Sequence, residues 1–113
     1  MNTYTPDNWV ILKMTSPDDV CYKVLAGWYG GYTTGDSWKL SSGIIDITST
    51  DSYFLFPQHS GSTYLCHKSQ EKLSMMTSSM LDGWLELAKK HEGEGVGIVV
   101  VSPEELVKDW HGK

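Results

Sequence analysis

The hydrophobic pattern of this chain changes period after His67, and that change limits what it can fold into. Up to His67 the apolar residues fall in short runs that alternate from face to face, which is the pattern of strands. From Leu73 onward the period lengthens. Leu73, Met76, Met80, Trp84 and Leu87 recur at steps of three and four, which predicts one amphipathic helix. Strands first and a helix later give an expected α+β class: an antiparallel sheet covered by one main helix. The 113 residues hold a single expected domain, 1–113, large enough for one core.

Within the strand region, Trp9 to Met14 and Val20 to Gly27 are expected to pair as a hairpin across the turn Thr15-Ser16-Pro17-Asp18-Asp19. Val20, Tyr22, Val24 and Ala26 then share one face. Trp38 to Leu40 and Ile44 to Thr48 read as short strand segments broken at Ser41-Ser42-Gly43. Tyr53 to Phe56 and Thr63 to His67 form a second hairpin. The main helix should start near Ser69 or Ser74 and end around His91, where Glu92-Gly93-Glu94-Gly95 stops it. Gly83 inside it costs about 1 kcal/mol relative to Ala and reads as a site of close packing on the sheet. Val96 to Val101 is the most continuously apolar stretch, expected to be central or covered on both faces. Ser102-Pro103-Glu104-Glu105 opens a short second helix, running to about Trp110, that docks through Leu106, Val107 and Trp110. The expected architecture is a meander of about five antiparallel strands plus the late strand, with the main helix on one face. A strongly curled, SH3-like barrel is the alternative.

Composition narrows the function. The net charge is −5, from 14 acids and 9 bases, and every base is Lys. Without Arg there is no planar fork to clamp phosphate or read guanine, so a nucleic-acid partner is not expected. The N-terminal residues carry neither a basic region nor an apolar one, and no apolar run is long enough to span a bilayer, so neither a signal peptide nor a membrane segment is expected. Cys21 and Cys66 then read as isolated thiols in a reducing compartment.

The segment Tyr22-Lys23-Val24-Leu25-Ala26-Gly27-Trp28-Tyr29-Gly30-Gly31-Tyr32, followed by Gly35-Asp36-Ser37-Trp38-Lys39-Leu40-Ser41-Ser42-Gly43-Ile44, resembles a group of small, uncharacterised bacteriophage-encoded proteins. Tyr53-Phe54-Leu55-Phe56 and the stretch from Ser60 to Lys68 extend the resemblance, which covers about residues 4 to 88. It implies no activity and no site residues. It implies a setting: a phage accessory protein in the host bacterial cytoplasm, acting on a host component in host takeover or counter-defence.

The chemistry-bearing residues give one candidate surface and several weaker patterns. The Gly-aromatic stretch offers Trp28, Tyr29, Tyr32, Asp36 and Trp38, with glycines that let a partner approach the backbone. His59, Ser60 and Ser62 from the second hairpin loop would add hydrogen bonds if the loops meet. These eight residues are expected to bind a host protein or a small ligand without catalysis. Gly35-Asp36-Ser37 with Asp109 and His111 resembles a GDS-type esterase only loosely, because Asp109 and His111 stand at Asp-x-His rather than Asp-x-x-His. A hydrolase using Ser37 or a His59/His67 pair is therefore the alternative. Cys21, His59, Cys66 and His67 are zinc-type donors, but adjacent Cys66 and His67 on a strand face opposite ways, so no metal is expected. Gly93-x-Gly95-x-Gly97 precedes a strand and reads as a helix stop rather than a phosphate loop. No cofactor is expected. A third alternative is an oligomer-forming virion component in which the late strand pairs between chains.

Overall fold

The computed structural model describes residues 2–30 and 35–111, with Trp110 and His111 described in backbone only. It is α+β. The strands are β1 (Thr3–Tyr4), β2 (Asn8–Ser16), β3 (Asp19–Trp28), β4 (Ser37–Leu40), β5 (Thr48–Ser49), β6 (Tyr53–Pro57), β7 (Thr63–His67) and β8 (Gly97–Val101). The helices are α1 (Met75–Lys90) and α2 (Pro103–His111). The strands do not run as one meander. They divide into two sheets ordered β1-β7-β6-β5 and β4-β3-β2-β8, and no closed barrel forms.

Both expected hairpins are present. β2 and β3 pair antiparallel from Asn8↔Gly27 to Ser16↔Asp19, and β6 and β7 pair from Tyr53↔His67 to Pro57↔Thr63. The predicted strand at Ile44 to Thr48 is the crossover between the sheets instead. The Ser41 and Ile44 amides donate to β3 at the Val24 and Tyr22 carbonyls, whereas Ile45 donates to the Pro57 carbonyl in the other sheet. A chain that changes partner within four residues cannot continue one ladder, so only Thr48–Ser49 is strand.

Burial fixes the layers. Trp9, Ile11, Tyr22, Val24 and Ala26 on one face of the β4-β3-β2-β8 sheet meet Phe54, Phe56, Tyr64 and Cys66 of the other sheet, and Leu106 of α2 joins them. Val10, Leu12 and Leu25 on the opposite face meet Leu81 of α1, with Trp84 and Leu85 partly buried beside it. β2 is thus the strand covered on both sides. The expectation that Val96–Val101 would be that strand is corrected: β8 lies at the sheet edge, with Val99 57% and Val100 43% exposed. A continuous apolar run marks two-sided burial only when strands flank it, and β8 has just one neighbour.

α1 begins at Ser74, one of the two expected starts. The Ser74 hydroxyl accepts from the Thr77 amide while the Thr77 hydroxyl accepts from the Ser74 amide, a reciprocal cap. Thr77 also reaches Asn8 of β2, its hydroxyl 3.4 Å from the Asn8 side-chain oxygen, and both residues are fully buried. That contact sets the rotation of α1. The buried positions are Thr77, Leu81 and Ala88, so Met76 and Met80 are only partly covered and Leu87 is 57% exposed, unlike the expected stripe. Gly83 is corrected too: it is exposed, and a side chain there would meet nothing within 4 Å. α2 opens as expected, with the Ser102 hydroxyl accepting from the Glu105 amide.

Close packing is needed instead at Gly27 in β3. A Cβ there would lie 2.5 Å from the Asn8 side-chain oxygen. The Asn8 Nδ2 has no hydrogen-bond partner among the described residues, so this side chain is held by shape and by Thr77. Gly27→Ala is expected to destabilise the protein by about 1–3 kcal/mol in urea unfolding. Adding Asn8→Ala should make the double variant less unstable than the two single losses predict. A double-mutant cycle without coupling contradicts this packing.

Candidate functional site

Among the described residues, the hollows of the β4-β3-β2-β8 sheet include one on each face that bears on the candidate residues. The first lies between the sheet and α1 and has a volume of about 500 Å³. Met14, Leu40 and Ile98 form its sheet wall, and Trp84, Leu87 and Ala88 form its helix wall. Val96 continues the apolar lining, and His91 and Glu94 stand at its edge. The two polar residues are joined, His91 Nδ1 lying 2.8 Å from a Glu94 carboxylate oxygen. The 3-10 turn Glu92–Glu94 and the left-handed Gly95 (φ 79°) place that pair where the chain turns back toward β8. The glycine series 93–95–97 therefore ends the helix, as expected.

The second hollow, about 320 Å³, lies on the other face, bordered by Tyr4, Lys39, Leu40, Tyr64 and the serines 41, 42, 60 and 62. Lys39 Nζ sits 4.6 Å above the Tyr4 ring and 3.4 Å from its hydroxyl. The Tyr4 hydroxyl is held below its ordinary pKa, first by the hydrogen bond from Asn2 and then by Lys39. The Ser42 hydroxyl accepts from the Ser60 amide at 3.0 Å, which ties the β6–β7 loop to the crossover.

The eight residues expected to form one surface are divided by this geometry. Gly27 pairs with Trp38 and Trp28 pairs with Ser37, so the two tryptophans face opposite sides of the sheet. Trp28 packs against the inter-sheet core, edge-on to Tyr4 at 6.3 Å, and its indole N–H donates to the Thr5 carbonyl. Trp38 packs edge-on to Trp84 at 5.4 Å and so extends the aromatic wall of the apolar groove. Ser60 and Ser62 belong to the second hollow, while His59 is exposed and anchored through its amide to the Gly43 carbonyl. Tyr29 is 53% exposed, and the carboxylates of Asp7 and Asp36 accept from the Tyr29 and Gly30 amides, tying down the chain leaving β3. Tyr32 lies outside the described residues.

Ser37 is exposed on β4, and no hydrogen bond among the described residues joins it to an imidazole. Asp109 accepts from the Tyr22 hydroxyl at 2.7 Å and pairs with Lys13 at 3.6 Å. The His111 side chain lies outside the described ones. Cys66 is fully buried and His67 exposed, on opposite faces of β7, and both cysteines are free thiols. Among the described residues no three His, Cys, Asp or Glu side chains gather in a metal-holding group. Burial pushes the Cys66 thiol far above its ordinary range, so it stays protonated and unreactive. No helix among the described residues is long and apolar enough to cross a membrane.

The groove residues Met14, Leu40, Trp84, Leu87, Ala88 and Ile98 were not singled out by chemistry in the sequence, because each reads as core. A signal was present in α1, where Met76, Met80, Leu81, Trp84, Leu85, Leu87 and Ala88 cover more of the helix circumference than one sheet can bury. No protein family, curated protein or solved structure matches this chain.

Tyr22 and Tyr64 both have pKa values raised to about 12, chiefly by burial, with Asp109 adding to the rise at Tyr22. Each phenol therefore holds its proton more tightly in the folded than in the unfolded chain. Their contribution to stability is complete below about pH 10 and is lost as pH climbs toward about 12. Urea midpoints should fall across that window, and Tyr64→Phe should flatten the fall. An unchanged slope in Tyr64→Phe would show that the Tyr64 phenol does not drive it.

Proposed function

We propose that this chain acts by non-enzymatic binding of a small ligand with an apolar body and a polar end, seated in the groove between α1 and the β4-β3-β2-β8 sheet. The observation that carries this reading is the groove: about 500 Å³, apolar along nearly its whole wall, with one polar pair at the edge. Small-molecule sites fall at roughly 300–1,000 Å³ and have this division between apolar walls and a few orienting polar groups. Trp84 supplies a flat face, and Trp38 braces it from β4, which gives the Gly-aromatic segment its part in the site. The free edge of the His91 imidazole and the Glu94 carboxylate supply the groups that would fix a polar end. The resemblance to phage-encoded proteins supports the accompanying proposal that this is an accessory protein working in the host bacterial cytoplasm, and that the ligand is of host origin.

The test is titration with 1-anilinonaphthalene-8-sulfonate, an apolar ring system with an anionic end, followed by fluorescence. A single saturable site is expected. Leu87→Glu places a charge in the groove from an exposed position, so it should lower affinity by about tenfold or more with an unchanged circular dichroism spectrum. Equal binding by Leu87→Glu and the wild type rejects the groove as the site.

A further inference from the structure

The two sheets have four edges, and three are guarded. β1 and β5 are two residues long, and β4 carries Lys39. β8 has none of the devices that discourage strand addition: it is Gly97-Ile98-Val99-Val100-Val101, with no charge, no proline and five unbroken register pairs with β2. Val99 and Val100 are its exposed side chains.

The ladder also shows which backbone groups of β8 are unpaired. The Ser41 amide donates to the Val24 carbonyl, so the Val24 backbone faces β4. Alternation along β3 turns Lys23 and Leu25 toward β2, and Leu12 and Val10, opposite them, toward β3. Ile11 and Lys13 of β2 then face β8. The Trp9 carbonyl agrees, since it accepts the Lys72 amide on that same side of β2. Val101 and Val99, opposite Ile11 and Lys13, pair inward, which leaves the N–H and C=O of Ile98 and Val100 pointing out of the sheet.

We propose that β8 pairs with β8 of a second copy of this chain, antiparallel about a two-fold axis at Val99. The register closes on itself. Ile98 meets Val100 of the other copy and Val100 meets its Ile98, so all eight outward groups exchange hydrogen bonds in two close pairs. Val99 then stands opposite Val99 at the narrow, non-hydrogen-bonded position, where side chains approach most closely. On the helix side the joint sets Ile98 beside Val100, continuing the apolar row that Met14 and Leu12 begin in β2. A foreign strand would satisfy the same backbone groups, but only the chain's own strand returns a matching β-branched residue at every position. The joined molecule has one continuous sheet of eight strands, four from each copy. This pairing does not depend on what the groove binds.

Light scattering after size exclusion tests it. The wild type should show twice the 12.7 kDa chain mass, with dissociation on dilution. Val99→Lys, at an exposed position, should show the single-chain mass with unchanged circular dichroism. Amide hydrogen exchange gives a readout without any substitution: protection at Ile98 and Val100 should rise with protein concentration while protection at Val99 stays constant. A wild type of single-chain mass at every concentration overturns the proposal. So does a Val99→Lys protein that remains double, or exchange at Ile98 and Val100 that ignores concentration.

Discussion

The two-sided burial of β2 is the constraint on which the other parts depend. Trp9 and Ile11 are fully buried against the second sheet, and one residue along each time Val10 and Leu12 are buried against α1. Each such side chain stabilises the fold by about 1.5–3 kcal/mol, and no single cover could collect both sets. A strand of this kind needs a layer on each side. The chain has one long helix, so the other cover must be made of strands, and the later hairpin leaves the first sheet to provide it. The crossover at Ser41 to Ile45 is where that departure happens, and Gln58 makes it tolerable. Its side chain accepts from the Gly43 amide and donates to the Phe56 carbonyl, so the buried turn leaves neither group unpaired.

Polar contacts decide how the helix sits on its face. Burial alone would accept several rotations of α1, because apolar residues occupy so much of its surface. The reciprocal cap at Ser74 and Thr77, joined to Asn8, selects one of them. The choice buries Leu81 and Ala88 and leaves Trp84 and Leu87 lining an open groove. The candidate site is therefore a consequence of a buried hydrogen-bond network some two turns of helix away from it.

Much of the local structure was legible in the residues. Alternation placed both hairpins, Ser74 was one of two readable helix starts, and Ser102-Pro103 marked the second helix. These signals act over a few residues and depend on backbone geometry that each residue type favours or refuses. The site was less legible. Trp28 and Trp38 are near neighbours in sequence, yet a ladder that opposes Trp38 to Gly27 sends them to opposite faces. Only Trp38 reaches the groove, and its partner Trp84 lies in a helix with no sequence motif to connect them.

The sequence by itself determined the class of the fold, both hairpins, the end of the main helix and the start of the second one, because period, capping and turn chemistry are local properties. The tertiary structure alone decided that the strands form two sheets, that β2 rather than β8 lies at the centre, and which side of α1 faces inward. Those choices rest on which neighbour covers each face, and a face has no cover until distant parts of the chain have met.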